Sequence, residues 1–168
     1  YINFDAVKKV LGIFNIKEEI IKKRIREFKG LSHRMELIYN DGSINFINDS
    51  KATNVSAANL ALSSLNDIFW IGGGHSKNND LSKLNLDSEK IKRIFLIGSS
   101  AKKIKELSPK NKKPIIYNNL KLATKAAFNA AKKNGKGTVL LSPGCSSLDQ
   151  FNNFEERGLL FKKTISFL

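Results

Sequence analysis

Between residues 48 and 54 the chain reads Asn48-Asp49-Ser50-Lys51-Ala52-Thr53-Asn54, bringing a carboxylate, an ammonium and hydroxyls into one short stretch. A carboxylate accepts hydrogen bonds, an ammonium offsets phosphate or carboxylate charge, and a hydroxyl can donate or accept. If a helix follows, the unpaired N–H groups of its first turn add an anion-attracting end. The same residue types also serve as plain helix caps, and both readings stand. Gly72-Gly73-Gly74-His75-Ser76-Lys77 offers a second candidate, because successive glycines let a backbone close on phosphate or carboxylate. Its spacing fits neither the P-loop nor the dinucleotide fingerprint, and a flexible loop with a solvated lysine is the alternative. The third stretch, Ser142-Pro143-Gly144-Cys145-Ser146-Ser147-Leu148-Asp149-Gln150-Phe151, is the most informative. Its small and hydroxyl residues, with Asp149 at an expected helix start, predict a pocket rim with inward N–H groups. A Cys145 nucleophile with His75 as base has no spacing to support it, and a buried thiol is the expectation. Gly135-Lys136-Gly137-Thr138 precedes a strand and reads as a helix stop and turn, so no P-loop is present to hold a triphosphate.

The elements that position these stretches follow from periodicity. Val7, Val10, Leu11 and Phe14 form a helical stripe, and a second helix over 17–27 is expected to bury Ile20, Ile21 and Ile25 before Gly30 stops it. Residues 34–48 predict a β-hairpin: Met35, Leu37 and Tyr39 alternate with polar positions, Asn40-Asp41-Gly42 turns, and Ile44, Phe46 and Ile47 resume. Helices are predicted near 55–65, 100–107 and 120–134, with a last one carrying Phe154 and Phe161; Phe161 is assigned to the core and Phe154 is left open. Short apolar runs at 68–71, 94–97, 114–117 and 139–141 predict strands. Such strands alternating with helices indicate an α/β fold: a Rossmann-like, mostly parallel sheet with helices on both faces, opening with the hairpin. Ligands of such sheets bind past the carboxyl ends of the strands, which is where the three candidate stretches fall.

The chain has 168 residues, 41% hydrophobic and 26% charged, enough for one domain with a core. No run reaches the length of a membrane span, and one cysteine excludes an internal disulfide. The net charge of +14 raises nucleic acid as a partner. Yet 24 of the 29 basic residues are Lys, and 18 Asn and 18 Ile accompany them, a bias that adenine- and thymine-rich codons alone can supply. The excess is concentrated in residues 90–136, at +13, whereas residues 32–89 carry −3.

Taken in order, His33-Arg34, the 48–54 stretch, the glycine loop with Lys77, and Leu141 through Phe151 with Asn153-Phe154-Glu155 and Arg157-Gly158 resemble the C-terminal domain of the D-glutamate-adding Mur ligases of peptidoglycan synthesis. Residues 1–29 resemble the last helices of the family's central ATP-binding domain, and 30–168 the C-terminal Rossmann-like domain. The Asp-Asn-Pro-Arg-type signature of the diaminopimelate- and lysine-adding relatives is absent, which favours D-glutamate as acceptor.

What the resemblance implies is a cytoplasmic, ATP- and Mg²⁺-dependent amide ligase, a monomer, in which the alanine carboxylate of UDP-N-acetylmuramoyl-L-alanine is phosphorylated and then attacked by D-glutamate. Arg34, Asp49 and Lys51 would serve the nucleotide, with Lys51 also at the reacting centre; Thr53, Lys77, Ser147, Leu148 and Phe154 would form the D-glutamate pocket. The family's P-loop, metal ligands and UDP-sugar domain are expected upstream of Tyr1, so the fragment alone is expected to be inactive and no metal ligand is expected within it. Two rival readings are a basic, non-catalytic nucleic-acid-binding α/β module and a sister ligase such as folylpolyglutamate synthetase. The matched motifs lie outside the basic segment, so no nucleic acid and no membrane partner is expected.

Overall fold

The computed structural model describes residues 2–28, 30–77 and 80–168. The chain divides into two compact units, residues 1–31 and 32–168. In the first, α1 (Ile2–Ile13) and α2 (Glu18–Glu27) are linked by Lys8, whose ammonium lies 3.0 Å from Glu18, a carboxylate that Lys22 of α2 also meets at 3.0 Å. Of the apolar positions expected to be buried on α2, only Ile21 is; Ile20 and Ile25 stay 51% and 40% exposed. Val7, Val10 and Phe14 are exposed as well. Two short helices have too little surface between them to cover both stripes.

The second unit is a six-stranded sheet, β1 (Glu36–Asn40), β2 (Ile44–Asn48), β3 (Ile68–Gly73), β4 (Ile91–Ile97), β5 (Ile115–Ile116) and β6 (Gly137–Leu141), in the order β1-β2-β6-β3-β4-β5. Only the β1–β2 hairpin pairing is antiparallel. Four helices cover it: α3 (Val55–Ser64), α4 (Ala101–Leu107), α5 (Leu120–Lys133) and α6 (Phe154–Ile165). Because β3, β4 from Ile94 onward and β6 from Val139 onward are buried on both faces, their residues there are apolar in succession rather than in alternation. One face packs Trp70, Ile94, Leu96 and Leu140 with residues of α3 and α4. The other packs Phe46, Phe95 and Val139 with Ala123, Ala127 and Ala131 of α5 and Phe161 of α6. Phe161 is thus core, as its helical spacing predicts.

Two local expectations fail. Leu37 and Tyr39 of β1 face outward, 57% and 52% exposed, while Glu36 and Ile38 turn inward. The inward carboxylate is satisfied: Glu36 accepts the backbone N–H of His33 at 2.9 Å and pairs with Lys162 of α6 at 2.6 Å. Likewise Asp149 does not start a helix. Asn153 caps α6 by accepting Glu156 N–H at 2.7 Å, so Phe151 lies outside the helix that carries Phe154 and Phe161.

The strand order creates the crevice. From β2 the chain leaves to α3 on one face, whereas from the adjacent β6 it leaves to α6 on the other. Neighbouring strands whose connections diverge in this way leave an opening at their carboxyl ends.

Candidate active site

At that opening the loops are laced together by backbone hydrogen bonds. Gly73 donates to Pro143, Gly74 to Ile97, Gly144 to Ala52, and His75 and Ser146 exchange a pair at 2.9 Å each. Gly74 carries a φ of +126°, and a Cβ there would collide with the Ser146 carbonyl. Gly98, at φ +76°, leaves no room for a side chain between Gly74 and the Asp149 carboxylate. Asp149 spends that carboxylate on the Ser99 N–H at 2.7 Å, so it ties the loop after β6 to the loop after β4.

Beneath this lacing lies a buried polar layer. Arg157, 1% exposed, donates from Nε to Ser50 Oγ at 3.0 Å, from one terminal nitrogen to Ser50 O at 2.8 Å, and from the other to Cys145 O at 3.2 Å. Burial lowers its pKa to about 10, which leaves the guanidinium charged at neutral pH. Asn48 donates to His33 Nδ1 at 3.0 Å and to Gly158 O at 3.2 Å, and accepts Ser50 N–H. Nδ1 is therefore an acceptor; burial, first, and then Lys162 depress the pKa of His33. None of this layer's roles is assigned by motif chemistry alone. His33, Asn48, Ser50, Cys145, Arg157 and Gly158 all stand in the stretches quoted from the sequence, but only the fold brings them together.

On this support stand the candidate residues, in two adjoining clefts. The first, about 450 Å³, is lined by Arg34, Met35, Asp49, Lys51, Thr53 and residues of α3. His33 and Met35, on either side of Arg34, both take left-handed backbone conformations, at φ 63° and 45°. Such conformations cost energy in residues with side chains and concentrate where geometry is imposed. Here they let Met35 donate its N–H to Asp49 Oδ1 at 3.1 Å and His33 offer its carbonyl to the Lys51 N–H at 3.0 Å. Asp49, 5% exposed, also accepts Ser142 Oγ–H at 2.7 Å. Burial raises its pKa, against the pull of Ser142, the Met35 N–H and Arg34. Capping of α3 falls to Asn54, which accepts Ala57 N–H at 2.9 Å, so Asp49 and Lys51 are not needed as caps.

The second cleft, about 380 Å³, is lined by Thr53, Lys77, Ser147, Leu148 and Phe154, with Ser146 and 152–155 completing the rim. Thr53 lines both clefts, and the Lys51 ammonium sits 4.2 Å from the centre of the Phe154 ring, joining the two walls. Every one of the eight residues expected to act on nucleotide or acceptor thus borders one of two neighbouring openings. Cys145 borders neither. It is fully buried, and burial pushes its thiol up to about 11, which removes it as a nucleophile.

The arrangement offers cations, hydroxyls and backbone donors to an anionic substrate, with an apolar wall from Leu148 and Phe154. Among the described residues no group of three or more His, Cys, Asp and Glu side chains is placed to hold a metal ion. No described helix is long and apolar enough to cross a membrane.

Known proteins share this pattern. The family "Mur ligase, glutamate ligase domain" matches residues 33–145. The UDP-N-acetylmuramoylalanine–D-glutamate ligase of Rickettsia bellii (strain RML369-C) is 38% identical over 158 residues, covering 93% of this chain and 34% of the relative. The ligase of the same name from Nitrobacter winogradskyi is 37% identical, covering 91% and 33%, and that from Pelodictyon phaeoclathratiforme 36%, covering 97% and 35%. The chain spans about a third of the length of these curated relatives. The solved structure of a pseudomurein peptide ligase type C from Methanothermus fervidus shares the fold, with a TM-score of 0.58 at 16% identity over 94% of this chain and 33% of that one. With the family pattern extending from the buried His33 to the buried Cys145, on the sheet whose crevice holds both clefts, this chain belongs to the Mur ligases, in their glutamate ligase domain.

Proposed function

We propose that this chain is the closing domain of a cytoplasmic ligase that joins D-glutamate to UDP-N-acetylmuramoyl-L-alanine, with ATP supplying the phosphoryl group that activates the alanine carboxylate. The observation that carries the reading is the adjacency of the two clefts through Thr53 and the Lys51–Phe154 contact. A nucleotide bound along Arg34, Asp49 and Lys51 would place its phosphates within reach of fixed cations, and Asp49 retains acceptor capacity for ribose hydroxyls. D-glutamate suits the second cleft: Lys77 and the Ser147 hydroxyl and backbone meet carboxylates, and Leu148 and Phe154 bound the carbon chain. Lys51, on the shared wall, lies between the two and would stabilise the charge that builds on phosphoryl and acyl oxygens.

The described residues lining the first cleft suit a nucleotide, and among the described residues no group of three or more His, Cys, Asp and Glu side chains is placed to hold Mg²⁺; we assign the metal's ligands to the part of the ligase outside this chain. Residues 1–29 are assigned to the end of its central domain. Closure of residues 30–168 onto that domain would exclude water from the activated carboxylate.

In the full-length ligase carrying this domain, phosphate release should require ATP, UDP-N-acetylmuramoyl-L-alanine and D-glutamate together. Equal release with L-glutamate, lysine or diaminopimelate would overturn the acceptor assignment.

A further inference from the structure

At one edge of the sheet stands β5, which consists of Ile115 and Ile116 alone. On its inner side it pairs with β4, Ile115 opposite Phe95 and Ile116 opposite Leu96, and the Tyr117 N–H extends the ladder to Leu96 O at 2.8 Å. The backbone groups of successive strand residues point to opposite sides. With Tyr117 turned toward β4, the Ile116 N–H and C=O and the Pro114 C=O point away from the sheet. Among the described residues no strand lies beyond them.

Beside this edge an opening of about 700 Å³ runs between β5 and α4. Ile116, 42% exposed, lines it together with Pro114. Lys102, Lys105 and Lys110 line it as well, all three exposed and none in an ion pair among the described residues. Lys83, Lys92, Lys136 and Lys162, by contrast, each meet a carboxylate. Residues 101–113 carry six lysines against a single acid, Glu106, so the field along this edge is positive.

A very short strand, a proline and lysines are devices that keep sheet edges from pairing with one another. Here they also select what can pair. A second copy of this chain, at +14, is repelled, whereas a strand carrying acids is attracted. Nucleic acid fits the opening less well. Neither an aromatic ring for base stacking nor an arginine fork for phosphate lines it, and an outward carbonyl offers a phosphate nothing.

We propose that the β5 edge docks an extended acidic segment of a partner protein, which adds a strand by exchanging backbone hydrogen bonds with Ile116. Alternation along that strand sends every second side chain to the α4 side, where carboxylates meet Lys102, Lys105 and Lys110 and their stems cover Ile116. The proposal stands on this domain alone and does not depend on the ligase reading.

The test is a titration of the isotope-labelled 168-residue chain, followed by amide NMR, with a blocked heptapeptide that alternates glutamate with valine. The peptide should shift the amides of Lys105, Leu107 and Ile116 most and slow hydrogen exchange at Ile116. The same peptide with proline at every valine keeps the charge but cannot extend a sheet, and should bind about tenfold more weakly or worse. Lysine in place of glutamate should abolish binding. Lys105→Glu combined with Lys110→Glu should weaken the glutamate–valine peptide by about tenfold or more. Should that double variant fail to fold, Lys102→Glu alone should still weaken it measurably. The proposal falls if no shifts occur, if they gather at residues 49–53 and 147–154, or if the proline peptide binds equally well. It also falls if a folded charge-reversal variant binds unchanged. A short DNA duplex that shifts the same amides while the acidic peptide does not would replace it with a nucleic-acid surface.

Discussion

Asp49 and Lys51 sit two residues apart in one loop and respond to substitution in opposite ways. Asp49 is buried with its charge, and burial raises its pKa even with two hydrogen bonds in place. A carboxyl whose folded pKa lies above its unfolded value disfavours the native state as it ionises. The penalty begins as pH rises past the ordinary aspartate value of about 3.9 and is complete above the raised folded value. Asp49→Asn keeps an acceptor for Met35 N–H and can donate to Ser142, so its melting temperature at pH 7 should equal or exceed that of wild type. The difference should shrink toward pH 3, while ATP affinity of the full ligase falls. Lys51→Ala should leave melting unchanged and lower turnover by about a hundredfold or more, the scale of removing one fixed charge from a developing oxyanion. Wild-type turnover in the Lys51 variant would remove it from the mechanism. In sequence both residues stand out by their place past a strand end, but the roles proposed for them come from the family resemblance, because the residue types of that stretch fit helix capping equally well. That Asp49 is a buried acceptor is not legible, since Ser142, its partner, lies 93 positions away.

At the level of elements, the parallel strands are readable because burial on both faces makes them continuously apolar, and the glycines after β3 and β4 mark where they end. The face of β1 is misread for a specific reason: the alternation of Met35, Leu37 and Tyr39 ordinarily points apolar side chains to the core, but Lys162, 126 positions on, draws Glu36 inward. The role of α6 is hidden in the same way. Its Arg157 clamps the carbonyls of Ser50 and Cys145, which belong to loops after two different strands. Arg157→Met keeps bulk and removes the donors, so it should destabilise the domain by about 2–4 kcal/mol in urea unfolding. It should also raise the acceptor KM of the full ligase more than it lowers kcat. A loss of kcat alone would mean that the clamp does not shape the second cleft.

For the molecule as a whole, both hydrophobic clusters, among the described residues, draw on positions from Ile38 onward. A chain of residues 32–168 should therefore unfold in one cooperative transition with a midpoint close to that of the full chain; a loss of cooperativity would show that α1 and α2 contribute to the core. The charge of +14 acquires a more particular meaning too. Lys112 is buried and donates to the carbonyls of Ser88 and Ile91, so at least one cation of the basic segment is structural. The backbone lacing of the loops past β2, β3, β4 and β6 bears on what binding costs. Because His75, Ser146 and Gly144 already spend their amides on neighbouring loops, the loops that frame the second cleft are tied together before any ligand arrives. Little of a ligand's affinity would be lost to freezing those loops, and in the proposed closure the entropy cost would fall on the motion of whole domains.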